Sequence, residues 1–372
     1  MDLFSGAGGF GLGVHWAIEA IGCRPRSLLA ADVDSKALDV HAFNLRPKRS
    51  FKGSVRDLLR VEPLLDPGQR NLLEPGQLLM GGWPRSLVSA DVLIGGPPCQ
   101  GHSNLNNRTR RADDRNELYL WMAAAAFVAG PKVVIVENVP TVKADAGDVV
   151  ARTMELLTEL GYRIGFDGVL NAEHFGVSQS RKRHFLIAVR EDVAESERVK
   201  AAAAWLLTHH GSRQSVLEAI GDLTDVEIDN DYDAPSVLST ENQARVEWLI
   251  REDEYNLPDK YRPACHRDKP HTYESVYGRM DGDLPAPTLS TGFLSPGRGR
   301  YVHPQRPRTL TPHEGARVQG FPDDFRFVGG SGVIPRRTQI ARMIGDAVPP
   351  PLAFHVAVAA LCMLEATALQ NG

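Results

Sequence analysis

DVLI at Asp91–Ile94, running straight into GGPPCQG at Gly95–Gly101, is the stretch on which the fold turns. A short apolar run bounded by turn residues makes a buried parallel strand. The two glycines let a backbone or a ligand come close, and Pro97 and Pro98 fix φ and stiffen the turn. Cys99 is thereby delivered to the carboxyl edge of a sheet, where open α/β folds place their chemistry. A thiol held there is a candidate nucleophile. Taken alone, a lone cysteine more often reads as a small buried apolar residue, so the flanking chain has to decide.

Upstream, Met1–Phe4 is the tail of a strand, short for a central one, and Ser5–Gly13 (SGAGGFGLG) is a glycine-rich turn entering a helix. Gly6, Gly8 and Gly11 match GxGxxG, and Asp32 follows Ser27–Ala31 about twenty residues beyond the turn. Glycines allow close approach, the helix N-terminus favours negative charge, and a carboxylate reads a sugar diol. The expected ligand carries an adenosine; NAD and S-adenosylmethionine both satisfy this pattern.

Downstream, helices are predicted over Ser35–Asn44, Asn116–Ala129 and Asp148–Leu160. Strands are predicted over Phe51–Val55, Lys132–Val136, Arg163–Leu170 and His184–Val189, the last two flanking Gln179–Arg183. Such alternation predicts an α/β fold, a doubly wound, mostly parallel, Rossmann-like sheet. After Arg190 the character changes: a charged, alanine-rich helix, an acidic stretch over Asp222–Asp233, a helix over Gln243–Ile250, then a basic, Pro- and Gly-rich run from Arg262 to Arg308. Helical patterns return at Pro312–Gln319, Arg336–Met343 and Pro351–Leu369. The expected division is one domain from 1–191 plus 309–372, with a smaller domain inserted at 192–308.

The 372 residues suffice for one large domain and a smaller one, and the net charge of −4 supplies no global attraction to nucleic acid. Any such binding falls to a local basic face. The four cysteines form no CxxC pair, which points to a reducing cytosol and away from a disulfide framework or zinc ribbon. Cys265, His266 and His271 lack a fourth ligand at a standard spacing, so no metal is expected. No run reads as a membrane span or signal peptide.

An adenosine-type turn, Cys99 and Glu137 fall at the carboxyl ends of successive strands, and Arg181 and Arg183 precede another. Hydride transfer needs no thiol, so a nicotinamide enzyme loses ground. A thiol, a buried acid and S-adenosylmethionine suit methylation of an unreactive aromatic carbon. Carbon 5 of a pyrimidine becomes nucleophilic once a thiolate adds at carbon 6, and an acid near ring N3 assists that addition.

With these residues in place, the sequence resembles the DNA (cytosine-5) methyltransferase family over nearly its whole length. The resemblance rests on Asp2–Gly9 (DLFSGAGG), Pro97–Gln100 (PPCQ), Asp114–Asn116 with Leu118, Glu137–Val139 (ENV), Gln179, Arg181 and Arg183 (QxRxR), Arg308–Phe325, and Gly345–Pro350 (GDAVPP), in the family's order. It implies Cys99 as nucleophile, Glu137 on the base at N3 and the exocyclic amine, Arg183 on the base or thiolate, and Arg181 in support. It implies Phe4, Gly6, Gly8, Asp32, Pro97 and Leu118 around S-adenosylmethionine. It further implies a flipped cytosine, a lid at Gly101–Asp114 whose Arg108, Arg110 and Arg111 meet phosphates, and a target recognition domain at 192–308 in which Arg298 and Arg300 contact DNA. Ser54, Val33, Ser178 and Asp346 depart from the family pattern.

The function implied is sequence-specific methylation of cytosine carbon 5 in double-stranded DNA. The alternatives are an RNA cytosine-5 methyltransferase on the same fold, which Gly101–Ser103 disfavours, and a catalytically weak DNA-binding homologue. A restriction enzyme acting on the same site is an expected companion, and the chain is expected to be a monomer in the cytoplasm, at the nucleoid in a bacterium.

Overall fold

The computed structural model describes residues 1–59, 90–98, 114–223, 230–263, 267, 276–330, 332 and 335–366. Its centre is a seven-stranded sheet. Strands β1 (Asp2–Leu3), β2 (Leu29–Asp32), β3 (Arg49–Lys52), β4 (Val92–Gly95), β5 (Val133–Asn138), β6 (Tyr162–Asn171), and β8 (Lys182–Arg190), which follows the two-residue β7 (Gln179–Ser180), stand in the order β3-β2-β1-β4-β5-β8-β6. The first five in this order are parallel to one another; β8 is antiparallel to both β5 and β6. Strand order reverses between β1 and β4, the switch point at which such sheets open a ligand crevice. The short β1 is central: Asp2 pairs with Ala30 on one side and Ile94 on the other.

Alternation along the strands builds two cores. Val134 and Val136 of β5 face one side with α4 (Trp121–Ala129) and α5 (Val149–Glu159). Val133 and Ile135 face the other with α1 (Gly9–Ala20), α6 (Ser196–Thr208) and α11 (Pro350–Cys362). Three glycines of the first turn set how closely helices approach. A Cβ on Gly8 or Gly11 would meet Leu45 of α2 (Ser35–Leu45) at 3.0 or 2.8 Å, and one on Gly13 would lie 2.4 Å from the Pro350 carbonyl oxygen.

Several boundaries differ from expectation for local reasons. Phe51–Val55 is not one strand: β3 ends at Lys52 and α3 (Val55–Leu58) starts under a reciprocal cap from Ser54 and Asp57. Asp114–Tyr119 forms a 3-10 turn before α4 rather than its first turns. Arg337–Cys362 matches a membrane span in length and hydropathy only if taken as one helix, and 67% of its apolar window is buried inside the protein. It is two helices, α10 (Arg337–Asp346) and α11, broken at Ala347–Pro349.

A third core joins α7 (Val216–Ile220), Leu289, Phe293 and Leu310 to α9 (Pro312–Val318) and α10. A fourth lies under α8 (Thr240–Arg251). The two-residue strands β7 and β9 (Ala286–Pro287) pair in parallel and bind this region to the start of β8. Within 192–308, α6 shares its core with α11 through Val199, Ala202 and Leu206. The acidic stretch is tied down at its described ends: Asp222 pairs with Arg317, and Asp233 with His313.

Candidate active site and cofactor crevice

Because β8 runs against β5, its first residues reach the edge where β5 ends. Asn138 stands opposite His184, which brings Arg183 beside Glu137. Arg183 Nε lies 2.9 Å from Glu137 Oε1, and Glu137 is 9% exposed. Burial pushes the Glu137 carboxyl up, against the opposing pull of Arg183, Arg181 and His184. The group therefore takes up a proton more readily than an exposed glutamate. Gly96 passes so near that a Cβ there would sit 3.3 Å from Glu137 Oε2. Asn138 donates from Nδ2 to the Pro97 carbonyl at 3.2 Å and accepts the Val139 N–H at 2.8 Å. One strand end thus both presents the acid and anchors the proline turn. Cys99, the next residue after Pro98, lies outside the described residues, as do Arg108, Arg110 and Arg111.

Arg181 is 2% exposed and committed to backbone carbonyls: Leu289 at 3.0 Å, Gly345 at 2.8 Å and Ala347 at 3.3 Å. Gln179 works beside it, accepting from Leu289 N–H at 2.9 Å and donating to Gln319, which in turn donates to Ala347 O at 2.6 Å. The QxRxR pattern thus divides its labour: Arg183 meets the acid, while Gln179 and Arg181 bind the inserted region and α10 to the sheet. Asp346, at the end of α10, is exposed, with Oδ2 3.5 Å from Arg342 Nε.

At the switch point the Asp32 carboxylate accepts from Gly6 N and Asp34 N, each at 2.8 Å. Burial raises its pKa, against those two bonds. Phe4 and Gly6 take positive φ, 56° and 50°, so the turn rises sharply from β1. A Cβ on Gly6 would meet nothing within 4 Å, whereas one on Gly8 would meet His41 and Leu45. Gly6 therefore faces open space, and Gly8 serves helix packing. Phe4 and Leu118 are half-buried at the margin of the first core, and Pro97 is buried. Open space beside a glycine turn and a ribose-type carboxylate fit an adenosine-bearing cofactor. Ser54 is occupied as a helix cap, accepting from Arg56 N.

Arg298 is exposed. Arg300 is half-buried, donating to the carbonyls of Tyr255 and Arg279 and to Asn256 Oδ1 at 2.6 Å. Two networks had no signal in the sequence reading. His184, fully buried, bonds Asp167 at 2.6 Å, and Lys143 bonds the same carboxylate at 2.7 Å. Glu314, 1% exposed, holds both arms of Arg308 at 2.7 Å. The Asp167 partners stand 17 and 24 residues away and only the fold brings them together, whereas Arg308 and Glu314 both fall inside the Arg308–Phe325 motif, six residues apart. Among the described residues no group of His, Cys, Asp and Glu is arranged to hold a metal.

A mostly parallel sheet with its switch point at β1 and β4, a glycine turn above β1 and a buried acid at the end of β5 define a Rossmann-like fold of the kind found in S-adenosylmethionine-dependent methyltransferases. Residues 1–361 match the C-5 cytosine-specific DNA methylase family. The chain belongs to that family and is a DNA (cytosine-5) methyltransferase. It is 39% identical over 361 residues to the type II methyltransferase M1.BsuMI of Bacillus subtilis (strain 168), covering 96% of this chain and 79% of that protein. It is 27% identical to the type II methyltransferase M.DdeI of Desulfomicrobium norvegicum, covering 96% and 87%. The fold is shared with a prophage-encoded DNA modification methyltransferase from E. coli, at a TM-score of 0.62 and 23% identity over 97% of this chain and 98% of that one.

Proposed function

We propose that this enzyme transfers a methyl group from S-adenosylmethionine to carbon 5 of cytosine at a specific sequence in double-stranded DNA, on a base swung out of the helix and through a covalent adduct with Cys99. The observation that carries the reading is Glu137: buried, bonded to Arg183, and adjoining the turn that leads into Cys99. When bound, the cofactor supplies an electrophilic methyl group. Phe4, Gly6 and Asp32 would hold it, with Leu118 and Pro97 at the margin.

The chain's own groups do the rest. The Cys99 thiolate bonds to carbon 6, and the ring electrons move toward carbon 5 as the Glu137 proton is shared with N3. After carbon 5 is methylated, its proton passes to a water molecule, the S–C6 bond breaks to return the thiolate, and the proton shared with N3 goes back to Glu137. Arg183 holds Glu137 in line and balances charge as that proton moves. A pyrimidine inside the stack hides both ring faces, hence base flipping. Arg108, Arg110 and Arg111 would meet phosphates, and Arg298 would meet DNA from the inserted region, taken as the target recognition domain at 192–308 with α6 packed on the catalytic core. Arg300 would act there by bracing the backbone. The names of the type II relatives support a companion restriction enzyme.

The test is expression in a host free of cytosine methylation, followed by conversion sequencing. Methylated cytosines at one recurrent sequence are expected, with none after Cys99→Ser. DNA carrying 5-fluorocytosine at that site should trap the protein covalently, because fluorine blocks loss of the carbon 5 proton. Methylation by the serine variant, or no trapping by an active enzyme, refutes the adduct.

A further inference from the structure

We infer that His41 is a positioning residue for the cofactor turn, acting through a buried hydrogen bond to Asp2. The inference rests on the reading of Phe4–Gly8 as the seat of S-adenosylmethionine, and deepens it by assigning what holds that turn in its binding shape before the cofactor arrives. The turn is a costly one. Phe4, Gly6 and Gly8 all take positive φ, at 56°, 50° and 103°. A phenylalanine stays in the left-handed region only where its surroundings hold it there. On the β2 side, the Asp32 carboxylate takes the Gly6 N–H.

The legs of the turn are Asp2 in β1 and the glycines that open α1, and His41 of α2 touches both. Its Nε2 lies 3.1 Å from Asp2 Oδ2. A Cβ on Gly8 would sit 3.0 Å from His41 Cδ2, and one on Gly11 would sit 2.9 Å from Asp2 Oδ2. The start of α1 therefore presents bare backbone where the pair fits. Both side chains are buried, and His41 Nδ1 has no hydrogen-bond partner among the described residues. A carboxylate only accepts, so the ring donates from Nε2 to Asp2. The far end of α2 is fixed to the ribose-type acid: Asp34 caps the helix, and its own N–H is held by Asp32. Asp34 and His41 stand seven residues apart, two turns along one face. One helix thus braces the turn twice, through Asp32 and through Asp2. Without the Asp2 bond the turn relaxes, and cofactor binding has to restore it. That cost falls on affinity and not on the chemical step, because the bound turn is the same.

The experiment measures S-adenosylmethionine affinity by calorimetry, together with kcat and the cofactor KM on a duplex carrying the mapped methylation site. His41→Phe keeps a ring and loses the donor. It is expected to raise Kd and KM about tenfold, the worth of one hydrogen bond to a charged group, with kcat at saturating cofactor within about twofold of wild type. Duplex affinity at saturating cofactor should also be unchanged. His41→Gln, whose amide donates from a similar position, should recover most of the affinity. If His41→Phe fails to fold with Asp2 left unpaired, Asp2→Asn/His41→Phe removes charge and donor together and should show the same loss. A wild-type Kd in the folded variant without the donor, no recovery by His41→Gln, or a matching fall in kcat or duplex affinity overturns the positioning role. Wild-type protein that binds no S-adenosylmethionine overturns the cofactor reading beneath it.

Discussion

Arg181→Ala removes the brace that joins three parts of the chain. The guanidinium is 2% exposed and donates to the carbonyls of Leu289, Gly345 and Ala347. Hydrogen bonds from a charged donor contribute roughly 1.5–3 kcal/mol each, and removing one side of a buried charged contact costs about 3–5 kcal/mol. The Ala347 carbonyl keeps Gln319 Nε2 at 2.6 Å, so two carbonyls lose the Arg181 donor and the expected loss lies within that range, about 4 kcal/mol, partly relieved if water enters. That is a large share of the roughly 5–15 kcal/mol that holds a typical protein folded. Urea unfolding followed by tryptophan fluorescence is the assay, comparing wild type, Arg181→Ala and Arg181→Lys. Lysine carries the charge but not the fork, so it should recover less than half of the loss. An alanine variant that unfolds within about 1 kcal/mol of wild type would refute the brace, because substitutions away from packed or bonded sites stay in that range.

Two further outcomes follow from single contacts. Glu137→Gln keeps an oxygen for Arg183 but carries no acidic proton. Single-turnover methyl transfer should fall about a hundredfold or more, with S-adenosylmethionine affinity unchanged by calorimetry. Gly13→Ala drives a Cβ to 2.4 Å from the Pro350 carbonyl oxygen and 2.7 Å from the Phe354 nitrogen, neither at the end of a flexible side chain. It should cost about 1–3 kcal/mol by denaturant melt, whereas Gly221→Ala, with nothing within 4 Å, should be near neutral.

Where the sequence carried a period or a rigid motif, the fold was legible. The run Lys132–Val136 predicted β5 to within two residues, because a strand buried on both faces has few alternatives. The antiparallel β8 was not legible: an apolar strand looks the same in either direction, and only the pairing of Asn138 with His184 reveals why Arg183 meets Glu137. Glycines were legible as a motif but not by task. Gly6 opens onto space and Gly8 onto His41, a difference that depends on where α2 lies. Arg181 was legible as a supporting residue, but not its three partners, which come from positions more than 100 residues away. The resemblance implies Arg300 as a DNA contact, but its partners in the fold, Tyr255, Asn256 and Arg279, lie 21 to 45 residues away and were not legible in the sequence.

Glu314 shows how a buried charge can hold this architecture together, and pH tests it. Its carboxylate accepts both arms of Arg308 and the Thr311 N–H at 2.8 Å, with His303 Nε2 at 3.4 Å. The His303 Nδ1 accepts from Gln305 N and Arg306 N, so the proton sits on Nε2 and points at the carboxylate. Burial alone would raise the Glu314 pKa, but Arg308 and His303 outweigh it and hold it at about 2 instead of 4.5. A folded-state pKa below the unfolded one means the stabilisation is complete above 4.5 and is lost as pH falls toward 2. The shift corresponds to roughly 3 kcal/mol. Glu314→Gln has no carboxylate to protonate. The stability gap between wild type and this variant should therefore be about 3 kcal/mol near neutral pH and close most of the way between about pH 4.5 and 2. Other carboxylates titrate in the same range, Asp167 among them, but they are common to both proteins and cancel in the difference. A gap that stays constant as the pH falls would mean that Glu314 acts through its shape and hydrogen bonds, not through its charge.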